Sequence, residues 1–292
     1  MDVLAEIARR VEADERLSDE DAYELMSTHD IVGLAGLADE ARRRRHGRRT
    51  TFVRVLDVGL TGPLPGVVSA GELRLSGTPA TLDSAIARVR QLRSVAGDVP
   101  VSGFDLSDLD ALAADEGLPL RTLLERLQEA GLELVAEAPV DALAEPRAAI
   151  EAVNMAGLTL ARLVLRTVPR DGLVHVLRDV ASLQRAVGVL RTFQPLPRRL
   201  QPQAPTTGYA DTRQVALARL LVDNIESIQV DWGLYGPKLA QFALAAGADD
   251  VDGVAAGAGP RGGDAGDEVR RQIAAAGLEP HERTGRFDAV PA

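Results

Sequence analysis

The chain has 292 residues, 46% of them hydrophobic and only 3% aromatic, so a large core is affordable but Leu, Val and Ala must fill it. A formal net charge of −10 argues against general affinity for nucleic acid. No apolar run is long enough to span a bilayer, no charged–apolar–cleavage pattern opens the chain, and cysteine is absent, so a cytoplasmic setting is expected.

Residues 1–48 read as a helical extension. Ser18 and Asp21 resemble a capping box ahead of Ala22, Leu25 and Met26, and a second helix is expected from Ile31 to Arg44. The basic cluster Arg42–Arg45, His46, Arg48 and Arg49 reads as a helix C-terminus, where cations suit the dipole, with an anion or RNA patch as the alternative. Thr51–Asp57 is the first strand candidate and Glu72–Ser76 the second. The link between them holds Gly59, Gly62, Pro63, Pro65 and Gly66, which leaves no room for a crossover helix.

Leu82, Ile86, Val89 and Leu92 mark the next helix, and Val99–Phe104 the third strand. Leu120, Leu123, Leu124 and Leu127 form a helix stopped by Gly131, followed by strand Leu132–Ala136. Helix Glu145–Met155, strand Leu158–Arg166, helix Leu173–Val187 and strand Val189–Gln194 continue the alternation. A proline-bearing loop, RRLQPQAPTTGYADT, precedes a helix on Leu217, Leu220 and Leu221 and a strand on Ile228 and Val230. The helix on Leu239, Phe242 and Leu244 and a strand near Asp250 follow. The segment 253–266 is glycine-rich and expected to be mobile, ahead of a helix from Asp267 to Ala275 and a tail.

Eight strands alternating with helices predict an α/β fold, a (β/α)8 TIM-type barrel over residues 49–292 that lacks its first crossover helix. In such a barrel the strand C-termini carry the site. This places Asp57, Ser76, Gly77, Thr78, Asp105, Glu137, Arg166, Gln194 and Asp231 at the mouth, with Asp249 and Asp252 as further pocket candidates. His29, His46, His175 and His281 are scattered, and no metal-ligand spacing, P-loop, nucleophile elbow or dinucleotide fingerprint stands in the right context. No catalytic residue and no metal ligand is therefore assigned.

The stretch from Ala216 to Val254 carries a further pattern. Ala218-Arg219-Leu220, Asp223-Asn224, Trp232, Gly236, Lys238, Ala240-Gln241 and the run Gly247–Gly253 occur in one order. In that order the chain resembles the radical SAM enzymes of futalosine-dependent menaquinone synthesis, aminofutalosine synthase and cyclic dehypoxanthine futalosine synthase. The resemblance implies a barrel that holds a [4Fe–4S] cluster on three cysteine thiolates and binds SAM. Here the cysteine-bearing loop and its helix are missing. Ser76-Gly77-Thr78-Pro79 replaces the family's Gly-Gly-x-x-Pro turn, Ala136-Glu137-Ala138-Pro139 its Pro-Gly-Gly-Gly turn, and Thr167-Val168 its Gly-His pair.

Both cofactors are accordingly expected to be lost, leaving a non-catalytic relative. Its expected role is to bind or scaffold, as a hetero-oligomer with an active radical SAM relative, as a homodimer, or with a small-molecule menaquinone intermediate. The strand left bare by the absent helix is expected to seek a partner. The alternatives are a cluster-independent enzyme doing acid–base chemistry on a futalosine-like nucleoside, and a small-molecule sensor.

Overall fold

The computed structural model describes residues 3–66, 69–167, 169, 172–199, 207–257 and 264–290. Three helices lead the chain: α1 (Val3–Glu12), α2 (Asp19–Ser27) and α3 (Ile31–His46). The expected capping box forms, with the Ser18 and Asp21 side chains each bonded to the other's backbone N–H. These helices pack on the outer helical layer, α3 along α9 (Gly208–Leu221) and α2 against α9 and α8 (Leu173–Val187). Arg178 anchors them by bonding Asp19 and the Leu17 carbonyl.

The strands are β1 (Arg49–Gly59), β2 (Glu72–Ser76), β3 (Val101–Asp105), β4 (Leu134–Pro139), β5 (Thr159–Leu160), β6 (Leu163–Leu165), β7 (Thr192–Pro197), β8 (Ser227–Asp231), β9 (Asp250–Ala255) and β10 (Glu279–Glu282). Between them run α4 (Leu82–Ala96), α5 (Leu106–Asp115), α6 (Leu120–Glu129), α7 (Pro146–Met155), α10 (Trp232–Ala245) and α11 (Ala265–Ala275). All ladders are parallel, and β1 pairs with both β2 and β9, so the sheet closes on itself. β5 and β6 keep one register along β4 and together form the fifth of eight staves. This is the expected (β/α)8 barrel, and among the described residues no helix separates β1 from β2.

Several boundaries differ from the periodicity. The strand expected at Val189–Gln194 lies at Thr192–Pro197, and its prolines sit where its register with β6 shifts, a place that needs no continuous ladder. The loop expected up to Thr212 ends at Thr207, whose hydroxyl accepts from the Ala210 N–H and starts α9 early. The mobile-segment expectation for 253–266 falls in part on 258–263, outside the described residues; β9 runs through Gly253 and α11 begins at Ala265.

The tail is the main departure. β10 lies parallel to the start of β1, Arg49 opposite Glu279, below the point where β2 begins its own pairing at Val55. The guanidinium groups of Arg191 and Arg283 both lie over the Phe287 ring, 4.5 and 4.3 Å from its centre. The tail thus closes the N-terminal end of the barrel.

The expectation of a bare strand is overturned. The outward side chains between β1 and β2, Val58, Leu73 and Leu75, are buried. α4 packs on β2, α11 on β1, and Leu60 and Leu64 of the short link fold back onto the core. The space of the absent helix is filled from within the chain.

Candidate functional site

Strand alternation sends Asp57, Val55 and Val53 of β1 inward, in step with Arg74 and Glu72 of β2. The interior these strands enclose is ionic, not aliphatic. Arg74 bonds Asp252 of β9 through Nη2–Oδ1 (2.8 Å) and Nη1–Oδ2 (3.2 Å), and its Nε donates to Glu72 (2.8 Å). Arg162, between β5 and β6, donates to the same Asp252 at 2.6 Å. The Ser102 hydroxyl completes the Glu72 shell.

Burial acts to raise the Glu72 and Asp252 pKa values. The guanidinium charges outweigh it: Arg74 holds Glu72 below its usual range, and Arg162 with Arg74 holds Asp252 below its own. Burial likewise opposes the charge on Arg74, but Asp252 and Glu72 raise its pKa well above the ordinary value. A buried cation between two buried carboxylates stays ionised because each supplies what water would have supplied.

Above this network the mouth opens into a cavity of about 680 Å³. Its wall alternates sign. Arg198, at the end of β7, pairs with Glu137 of β4 (2.9 Å) and with Asp231 of β8. Asp231 also caps α10, accepting from the Leu234 N–H at 2.8 Å. Arg166 pairs with Asp105 (2.7 Å), which caps α5 through the Ser107 N–H. Thr78 donates to Asp108 at 2.6 Å. Phe104 adopts φ +68°, a left-handed conformation costly for an aromatic residue. That turn breaks the alternation of β3, so Phe104 and its neighbour Asp105 both line the cavity.

Two charged groups on this wall differ from the rest. Asp57 is open to the cavity and makes no hydrogen bond or ion pair among the described residues. The surrounding walls desolvate it and push its pKa up, against the lowering effect of Arg74. Arg199 is exposed at the rim, and its guanidinium has no partner among the described residues.

Of the residues singled out by strand-end position, Asp57, Ser76, Gly77, Thr78, Asp105, Glu137, Arg166 and Asp231 line this cavity. Three do not. Gln194 is fully buried beneath it, its Oε1 facing Arg198. Asp252 lies sealed in the network below the floor. Asp249 precedes β9 and so belongs to the opposite end of the barrel, where it pairs with Arg219 and accepts from the Ile228 N–H. Strand-end counting missed Arg74, Arg162, Arg198, Arg199, Phe104 and Asp108. A usable signal existed for two of them: Arg74 and Arg162 are charges inside otherwise apolar strand runs, LRL and ARLVL.

The donor set does not fit an iron–sulfur cluster. The chain has no cysteine, and among the described residues no three His, Asp or Glu side chains gather where they could hold a metal ion. At the two turns where the resemblance implies close approach of SAM, Thr78 is tied to Asp108 and Glu137 to Arg198.

Comparison with known proteins follows the same outline. The model of the CofH/MqnC C-terminal region matches residues 194–292. The chain is 27% identical to aminodeoxyfutalosine synthase of Thermus thermophilus, over 86% of this chain and 84% of that protein. It is 26% identical to 5-amino-6-(D-ribitylamino)uracil–L-tyrosine 4-hydroxyphenyl transferase of Methanoculleus marisnigri, over 99% of this chain and 98% of that protein. Among solved structures, methylornithine synthase (PylB) superposes with a TM-score of 0.67 at 14% identity, covering 94% of this chain and 96% of that one, a likeness of fold.

Proposed function

We propose that this cysteine-free chain, similar to the radical SAM enzymes of futalosine-dependent menaquinone synthesis, is a non-catalytic relative that binds a pathway intermediate in the barrel mouth. The observation that carries this reading is the pairing of Arg74 and Arg162 on Asp252 beneath a cavity of about 680 Å³, in a chain with no thiolate to offer iron. The interior charges are balanced by the protein's own side chains, and the volume above them suits a ligand of nucleoside size or larger. With the β1–β2 face covered from within, the cavity supports ligand binding better than the outer surface supports scaffolding.

Two measurements test the reading together. Anaerobic treatment with iron and sulfide, followed by calorimetry with SAM, is expected to give colourless protein and no heat of binding. Titration with aminodeoxyfutalosine is expected to give saturable binding without conversion. A brown, SAM-binding protein would overturn the proposal.

The unpaired Asp57, with its raised pKa, favours one second reading: a general base acting without iron or SAM. Conversion of aminodeoxyfutalosine by the metal-free protein, lost in Asp57→Asn, would establish it in place of the first.

A further inference from the structure

The cavity wall is nearly self-satisfied, and that makes its exceptions informative. Asp105, Asp108, Glu137 and Asp231 each already hold a cation or a donor from the protein, and Arg74, Arg162, Arg166 and Arg198 each already hold a carboxylate. A ligand entering the mouth would have to break one of these pairs to use it, and breaking a half-buried pair leaves its other member unsatisfied. Asp57 and Arg199 have nothing to give up among the described residues.

Topology sets these two apart. Asp57 lies near the C-terminal end of β1 and Arg199 follows β7, with β8 and β9 standing between them around the closed barrel. Three of eight steps around the ring put them on opposing sides of the mouth. Phe104 of β3, in a left-handed conformation, is the one aromatic residue lining the cavity among the described residues.

We infer that Asp57 and Arg199 are the specificity-determining residues of this cavity, selecting a ligand that presents an acid group to Arg199 and a hydrogen-bond-donating nitrogen to Asp57. This rests on the reading of the cavity as a ligand site and assigns its recognition points. Asp57 is held within the β1–β2 ladder opposite Arg74, near the C-terminal end of β1 and facing the cavity. Arg199 presents a fork of donors suited to a planar acid group, and Asp57 accepts only.

The experiment uses two fragments that each carry one end of such a ligand, benzoate and benzamidine, with the full chain as it stands. Trp232 is the single tryptophan, buried between the cavity-lining Asp231 and Gly233, so its fluorescence reports on the mouth. Wild type is expected to bind both fragments. Arg199→Gln is expected to weaken benzoate by roughly tenfold or more and leave benzamidine unchanged, and Asp57→Asn to do the reverse. Thermal unfolding of both variants guards against misfolding; should Asp57→Asn fail to fold, Asp57→Ser replaces it. Loss of both fragments in one variant, retention of both in each, or no binding of either by wild type overturns the inference. Saturable binding of aminodeoxyfutalosine alongside any of those results would leave the proposed function standing and remove only this assignment.

Discussion

Arg74 and Asp252 face each other across the barrel interior with two hydrogen bonds, 2.8 and 3.2 Å long, and both side chains are almost closed to water. Such a pair adds little to stability against an apolar alternative, but removing one member strands the other. Because Asp252 also serves Arg162, Asp252→Ala takes the nearest carboxylate from Arg162 and leaves Arg74 with Glu72 alone. We expect it to destabilise the fold by at least about 3–5 kcal/mol, read as a fall in the urea midpoint, with or without iron present.

The same network sets the acid limit. The folded pKa values of Glu72 and Asp252 are both depressed, so each adds stability above the unfolded carboxylate range of about 4 and loses it as pH falls through the folded value. Stability is expected to be level near neutrality and to decline from about pH 4 downward. Urea midpoints across pH should show this, and Glu72→Gln should flatten the slope.

Asp57 has the opposite sign. Its folded pKa is raised, so its charge opposes folding once pH exceeds the folded value, and the protonated form is the better tolerated one. Asp57→Asn is expected to raise the melting temperature slightly at neutral pH. The gain should vanish in acid, below the unfolded carboxylate range. A neutral-pH loss on substitution would show that the carboxylate has a stabilising partner.

The tail is expected to be part of the folding unit. Arg283 donates to both oxygens of Asp250 at 2.7 and 2.6 Å inside the barrel's lower end, and Gln229 donates to the same carboxylate. Arg283→Met should cost about 3–5 kcal/mol, because Asp250 is left charged and buried. Phe287→Ala should cost less, losing two cation–π contacts of about 0.5–1 kcal/mol each and some apolar area. Deleting residues 279–292 should exceed either, measured by the same denaturation.

Much of the barrel was legible in local pattern. Helix Leu173–Val187 is bounded as read, because Gly172 and Gly188 both take left-handed conformations that end it cleanly. The missing crossover followed from the few glycine- and proline-rich residues between Gly59 and Glu72. β7 departs from the sequence pattern because Pro195 and Pro197 argue locally against a strand, whereas the barrel tolerates them at a register shift. EPHE of β10 has no strand pattern of its own; it pairs only because β1 offers an open edge there.

The amino-acid order alone determined the alternation of strands and helices, the shortened first connection and the lack of any thiolate. Each of these is a property of neighbours in sequence or of composition. Only closure of the barrel decided which charges meet, bringing Asp252 between Arg74 and Arg162 and turning Asp249 away to the far end. Arg74 and Asp252 lie 178 positions apart, and no periodicity within a strand encodes a partner that the eighth stave delivers to the second across the interior.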